Sequence, residues 1–413
     1  MTDPGTDRDT DRDRAVPPEG LPLFDGPDFK ADSPARFAEL RRRAPLHRGR
    51  FLGGFTGWVV VDPALAREAL NHPALVKDPV RAGLVSAEDY ARDVLFAGNM
   101  LTADPPDHTR LRKLVAGAFT PRSAVRLRPR IQEICDGLLD GIAPLGETDL
   151  VESYTRVLPM AVISELLGVP EDRRAEFQHW SNEALGNEPG TDTREGMARL
   201  RRYLAELLEE KRREPAEDLF SALIRVRDEE DGRLSDEELL GTGALLVIAG
   251  HETTVNLLGS ALEALLRDPA QADLLRADPG LLPGAVEEFL RRDAPVEYTP
   301  GRFAAEDLRL GGEPIRRGES VTIALGSANH GASPGDGTGL DVTRGDARHL
   351  SFGHGIHYCL GAPLARAEGE IGLRSVLERL PDLELADPER STPWISAGLM
   401  RGPTSLPVRF TPR

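Results

Sequence analysis

The sequence predicts a mainly α fold, a single domain with small β-sheets. Amphipathic stretches at helical spacing follow one another through most of the chain beyond residue 107. One of them opens on the capping-box start Ser235-Asp-Glu-Glu and continues to about Arg267, some 30 residues and about 45 Å, enough to cross a whole domain. No internal repeat and no shift in composition divides the 413 residues, although length alone would allow two or three domains.

Taken in order, residues 1–18 alternate Asp, Arg and Thr and are expected to be a disordered tail, with the folded domain over 19–413. Residues 33–44 read as a helix stopped by Pro45. Phe51–Val61 (FLGGFTGWVVV) reads as a β-hairpin with Gly-Gly and Thr-Gly as turn material. Weak periodicity over 76–100 predicts a long loop with a short helix. Helices are expected over 107–118, 123–143, 151–167, 171–185, 193–213, 217–230, 235–267 and 283–292, with strand-like pieces near 302–310 and 321–325. Residues 331–345 hold too much Gly for regular structure, and a last helix follows Cys359 to near Leu380.

Composition narrows the functional classes. The net charge is −17, which argues against general nucleic-acid binding. No window approaches 18 unbroken apolar residues, so no membrane span is expected. The polar start MTDPGTDRDTDRDR has no signal-peptide core. Two cysteines rule out a disulfide framework, and a reducing cytoplasm is the expected setting.

The sharpest local feature is Ser351-Phe-Gly-His-Gly-Ile-His-Tyr-Cys-Leu-Gly361. A cysteine just before a helix meets the positive end of the helix dipole, which favours thiolate, a good ligand for soft or redox-active metals. The glycines allow a tight turn and close approach to a large flat partner. The residues alone leave three readings: a buried structural thiol, a zinc site with His349, His354 and His357, or a haem-thiolate ligand.

A second feature, Ala249-Gly-His-Glu-Thr-Thr254, interrupts the long apolar helix. A carboxylate, two hydroxyls and a glycine in one turn each disfavour a packed helix, and together they predict a functional kink. The ordinary alternative is that Glu252 pairs with a core Arg. His251-Glu252 begins a zinc-protease signature, but Val255 stands where the second His would be. Elsewhere, Glu288 and Arg291 share a helix face at i, i+3, as do His108 and Arg112 at i, i+4. Taken alone, each reads as an ordinary charged face.

The pattern Phe352, Gly355, Cys359, Gly361 resembles the haem-binding loop of the cytochrome P-450 superfamily. Ala249–Thr254 resembles the acid–alcohol motif of that family's oxygen-binding helix, and Glu288-x-x-Arg291 its structural Glu-x-x-Arg motif. The resemblance extends over nearly the whole chain past residue 20. It looks nearest to soluble bacterial members acting on polyketides and other secondary metabolites, as in PVEYTPGRFAAEDLRLGG.

The resemblance implies a single-domain fold with haem b (iron protoporphyrin IX) between the long central helix and the Cys loop. It assigns Cys359 as thiolate ligand, with Phe352, Gly361 and Ala249 also binding the cofactor. His108, Arg112, Arg302 and His357 would bind the propionates. Ala249 and Gly250 would leave room for dioxygen, and Glu252 and Thr253 would deliver protons. Glu288 and Arg291 would be structural. Gly339 stands where the family often has a third Arg, and Arg344 is the candidate substitute. The pocket would be lined by residues 78–100, the 180–195 region with a Gly-rich lid at 186–194, Leu245, Ile248, Ala249, Val296, Thr299 and the Trp394–Met400 turn, including Leu399.

The implied activity is monooxygenation, hydroxylating or epoxidising a small hydrophobic molecule with dioxygen. A peroxygenase or oxidative-coupling enzyme is the alternative, and a haem-containing ligand carrier or sensor the non-enzymatic one. With no flavin or nicotinamide domain in 413 residues, electrons are expected from an iron–sulfur ferredoxin and its NAD(P)H-dependent reductase. Residues 101–130 offer a basic landing face for such an acidic partner: Arg110, Arg112, Lys113, Arg122, Arg126, Arg128 and Arg130 against Asp104 and Asp107. A cytoplasmic monomer is expected.

Overall fold

Ser235 starts the longest helix of the protein. Its side chain accepts from the Glu238 N–H while the Glu238 carboxylate accepts from the Ser235 N–H, satisfying two otherwise orphaned donors. The helix then runs from Asp236 to Arg267, roughly 48 Å at 1.5 Å per residue. The computed structural model describes residues 20–51, 54–91, 98–185, 192–229, 234–335 and 337–413. The expected tail over 1–18 and most of the expected lid over 186–194 lie outside them.

The central helix divides two cores. Toward its N-terminus, Leu239, Ala244 and Val247 pack with Phe177, Leu200, Leu204 and Phe220. Toward its C-terminus, Leu257, Leu258, Ala261 and Leu262 pack with Ile131 and Leu139 of the Pro121–Ile142 helix and with Leu373 and Val376 of the Ala362–Arg379 helix. This burial explains why the helix is long and apolar enough to cross a membrane by length and composition: 67% of its apolar window lies inside the protein. Residues 248–253, between the two cores, are left for the site.

The sheets are small and sit to one side. The largest has the order Leu46–Arg50, Thr56–Val60, Ser320–Ile323, Arg302–Ala304, Leu75–Val76, with only the second and third strands parallel. A three-stranded sheet joins Glu147–Asp149, Pro407–Arg409 and Glu384–Leu385, and a hairpin pairs Leu308–Leu310 with Glu313–Ile315.

Three differences from the sequence expectations have physical causes. The first hairpin strand is Leu46–Arg50, not the apolar run from Phe51, which approaches the turn. LHRGR hides its strand character because only Leu46 and Gly49 are buried, three residues apart and so on opposite faces, which leaves no apolar alternation. The helices Pro63–Asn71 and Pro269–Ala277 were not expected, although each begins Asp-Pro, and Asp62 caps the first by accepting from Ala64 N and Leu65 N at 2.9 Å. The expected kink at 249–254 does not interrupt the central helix, which is α-helical throughout, with the Thr253 hydroxyl donating back to Ala249 O at 3.1 Å.

Candidate active site

The segment before Cys359 is fixed from one side by Asn329. Its carbonyl oxygen accepts from Leu350 N at 2.7 Å, and its amide donates to Ser351 Oγ at 2.8 Å. Ser351 in turn donates to Leu290 O at 2.6 Å. Gly353 and Gly355 then take φ of 72° and 75°, the left-handed region, and a Cβ on Gly355 would lie 2.4 Å from Asn71 Oδ1. The loop closes where Cys359 N donates to Phe352 O at 2.8 Å. Cys359 is thereby presented at an opening, three residues before the Ala362–Arg379 helix. The other thiol, Cys135, is fully buried, and burial pushes its pKa up to about 11, which leaves it inert.

Desolvation by the surrounding protein raises the pKa of Cys359 although its side chain is exposed, while the Gly361 and Ala362 amides at the helix start, Arg112 and Arg366 lower it. A coordinating metal removes the thiol proton outright.

Across from the loop, the central helix leaves one stripe uncovered. Ala249 is exposed in the middle of a core helix, and Leu245, Ile248, Glu252 and Thr253 are partly exposed at spacings of three and four. Leu245, Ile248 and Leu360 of the Cys loop border the same apolar cluster. His251 is buried, its Nδ1–H donating to Val247 O at 2.8 Å, with Nε2 at 4.0 Å from Glu252. A Cβ on Gly250 would lie 3.1 Å from Ile163 on the Val157–Leu167 helix, so the glycine allows close helix packing there.

Beside the loop lies a cluster of nitrogen donors with the Asp104 carboxylate among them. The His108 and His357 rings are 4.3 Å apart. Both His108 nitrogens, His357 Nε2 and Arg302 Nε are buried without a hydrogen-bond partner. Arg112 donates to Tyr358 O at 2.6 Å. Asp104 is held by the Lys77 and Asp78 amides at 3.0 and 2.9 Å. Burial first, and mutual repulsion second, depress the pKa of His357 to about 2; burial lowers Arg302 to about 10 and also lowers His108. So many orphaned donors fit a buried dianion, which is what the two carboxylates of haem would supply.

Lys77 belongs to this cluster and was missed from the sequence. Its ammonium donates to Pro300 O at 2.7 Å, and its pKa is pushed well down by burial and then by Arg302. The available signal was its rarity: the chain has only four lysines, and this one directly follows the Leu75–Val76 strand.

The remaining expected residues fall into separate places. Glu288 and Arg291 are fully buried and meet at 2.6 and 2.8 Å. Arg344 Nε reaches Glu288 at 2.9 Å, and the Gly339 carbonyl accepts from Arg291 at 2.8 Å. Val296 bridges to Met400 and is half-buried, and Leu399 is exposed. Thr299 is buried, and its hydroxyl accepts from Ile323 N at 3.1 Å, so that oxygen serves the sheet. The zinc alternative has no cluster behind it: His349 bonds Glu287 and Ser351 N, and no group of three ligating side chains is gathered among the described residues.

A reachable cysteine in a glycine-turned loop, an acid–alcohol stripe on the central helix and an anion-hungry edge together define a haem-thiolate oxygenase. The family model for cytochrome P450 matches residues 31–332. The chain is 45% identical over 388 residues to the cytochrome P450 monooxygenase PikC of Streptomyces venezuelae, covering 93% of this chain and 92% of that one. It is 42% identical to 6-deoxyerythronolide B hydroxylase of Saccharopolyspora erythraea, covering 94% and 99%. Among solved structures, the polyketide synthase P450 PksS of Bacillus subtilis superposes with a TM-score of 0.86 at 37% identity, covering 94% and 98%. The chain belongs to the cytochrome P450 family. It is a haem-dependent monooxygenase of hydrophobic substrates and needs redox partners to supply electrons.

Proposed function

We propose that Cys359 is the axial ligand, that His108, Arg112, Arg302, His357 and Lys77 hold the haem carboxylates, and that the substrate is a macrolide or related polyketide. The single observation behind the ligand assignment is that Cys359 is the one cysteine open to solvent, in a loop bordering the exposed Ala249 stripe. The substrate class is supported by the activities of two relatives, a 6-deoxyerythronolide B hydroxylase and a mycinamicin IV hydroxylase/epoxidase.

Haem supplies reductive activation of dioxygen and insertion of one oxygen atom into a C–H or C=C bond. The chain supplies the surroundings. Glu252 and Thr253 present a carboxylate and a hydroxyl at the uncovered stripe, and the hydroxyl can accept a proton while donating its own. Leu245, Ile248 and Ala249 give that stripe an apolar surface against which a hydrophobic substrate packs, with Val296 and Leu399 as further walls. His251 is held neutral by burial, with its proton on Nδ1.

The partner is a ferredoxin with its reductase, and the protein acts as a cytoplasmic monomer, with residues 1–18 as a tail outside the 19–413 domain. The docking face is smaller than the sequence count. Glu238 neutralises Arg110, Glu370 neutralises Arg128, and Glu133 and Glu165 neutralise Arg130. Lys113, Arg122 and Arg126 remain exposed and unpaired among the described residues, beside the exposed Val125.

Titration of the purified haem protein with macrolactones, glycosylated macrolides and fatty acids tests the substrate class. A Soret shift from low to high spin with the macrolides, followed by an oxygenated product with a surrogate ferredoxin chain, is expected. A shift with fatty acids alone would contradict it.

A further inference from the structure

Phe352, the aromatic that opens the Cys loop, is gripped by charged residues from outside that loop. Arg366, one turn into the Ala362–Arg379 helix, lays its guanidinium over the Phe352 ring, 4.5 Å from the centroid. The other edge of that guanidinium forks onto Glu287 of the Leu282–Arg292 helix, at 2.6 and 2.9 Å. Glu287 is held from the opposite side by His349 Nε2 at 3.2 Å. The His349 Nδ1 accepts from Ser351 N at 3.1 Å, which places the ring proton on Nε2 and makes it the donor to Glu287. His349 also lies 5.7 Å from Phe352, ring to ring.

These residues are tied to the sulfur by two physical links. Phe352 O accepts the Cys359 N–H at 2.8 Å, so the ring that Arg366 covers belongs to the residue that orients the cysteine backbone. The Arg366 charge itself lies over the ring of Phe352, the residue bonded to the cysteine backbone, and Arg366 and Cys359 flank the start of the same helix. Glu287 has the opposite sign and partly cancels that charge. Burial opposes its ionisation, but hydrogen bonds from Arg366 and His349 hold its pKa down to about 2, so it is an anion under all working conditions.

We propose that Glu287 and Arg366, held beside Phe352, set by their charges and with opposing signs the reduction potential of the haem bound at Cys359. The proposal rests on Cys359 being the iron ligand. One-electron reduction from ferric to ferrous adds a negative charge to the centre, so a nearby cation favours the reduced form and a nearby anion the oxidised form. The pair also ties two helices together. That purely mechanical role predicts that losing either partner has the same consequence, whereas the electrostatic role predicts opposite ones.

The test is a dithionite redox titration of the haem-loaded protein, monitored by Soret absorbance, with the ferrous–carbon monoxide band recorded for each variant. Arg366→Gln removes the cation and leaves Glu287 uncompensated. The ferric form should gain threefold to tenfold over the ferrous, a fall of roughly 30–60 mV for one electron. Glu287→Gln keeps an acceptor against Arg366 and frees its charge, so the potential should rise by a similar amount. Arg366→Lys, which keeps the sign without the fork, should recover most of the loss. Shifts of the same sign in Arg366→Gln and Glu287→Gln, or less than twofold in both, overturn the proposal while leaving the ligand assignment standing. If Arg366→Gln does not retain haem, Glu287→Gln decides alone: a rise supports the proposal, and no change or a fall overturns it. A wild-type carbon monoxide band of the imidazole type would remove the ligand assignment and the proposal together.

Discussion

Replacing Arg291 with Met should be one of the most damaging single changes outside the haem cleft. The guanidinium is 1% exposed and its partner Glu288 is 0% exposed. It donates to both Glu288 oxygens, to Ser333 Oγ at 3.2 Å, and to the carbonyls of Gly337 and Gly339 at 2.5 and 2.8 Å. Met removes every one of these bonds and leaves Glu288 with Arg344 and the Asp341 amide. Breaking a buried ion pair from one side costs about 3–5 kcal/mol, a large share of the ~5–15 kcal/mol that holds a typical domain together. Because the lost bonds fasten Ser333, Gly337 and Gly339 ahead of the Cys loop, haem release should precede global unfolding. Urea titration followed by Soret absorbance and far-ultraviolet circular dichroism reads both events. The expected result is two separated transitions, with the Soret loss displaced to lower urea. Arg344→Ala, whose side chain is 27% exposed, should cost only about 1 kcal/mol. Coincident transitions and a loss below about 1 kcal/mol for Arg291→Met would refute the reasoning.

Thr253→Ala removes the hydroxyl that now donates to Ala249 O, and should raise peroxide released per NAD(P)H consumed while substrate affinity holds; unchanged coupling would refute the proton role. The folded-state pKa of Glu287 is about 2, against its usual 4.5. A depressed carboxylate stabilises above the unfolded pKa and loses that stabilisation as pH falls through the folded one. Glu287→Gln should therefore flatten the acid-unfolding curve between these values by on the order of 2–3 kcal/mol, and an unchanged curve would count against the Arg366 and His349 bonds. Lys113→Glu with Arg122→Glu and Arg126→Glu should slow ferredoxin-driven reduction and weaken its salt dependence, measured by stopped-flow at several ionic strengths. An unchanged rate would move the docking face elsewhere.

Legibility in the sequence followed the range of the interactions. The central helix was readable because its capping box and apolar spacing are local: Ser235 and Glu238 carry the start within four residues. The Thr193–Arg213 helix likewise begins at a capping Asp192. Pro63–Asn71 carried an equally local Asp-Pro start, which apolar periodicity alone did not weigh. The strand Leu46–Arg50 was hidden because its pairing with Thr56–Val60 buries only Leu46 and Gly49, on opposite faces, so no apolar alternation marks it. At the site, the Cys loop was legible as a contiguous motif. Lys77 was not, because its meaning comes from Arg302, His108 and His357, between about 30 and 280 positions away in the chain.

The most direct measurement is the absorption spectrum of the purified, dithionite-reduced protein under carbon monoxide, alongside Cys359→Ser and Cys135→Ser. Sulfur-anion coordination at Cys359 predicts a red-shifted Soret band in the wild type and in Cys135→Ser, and its loss in Cys359→Ser. A band surviving in Cys359→Ser, or a wild-type spectrum of imidazole-bound iron, would contradict the account.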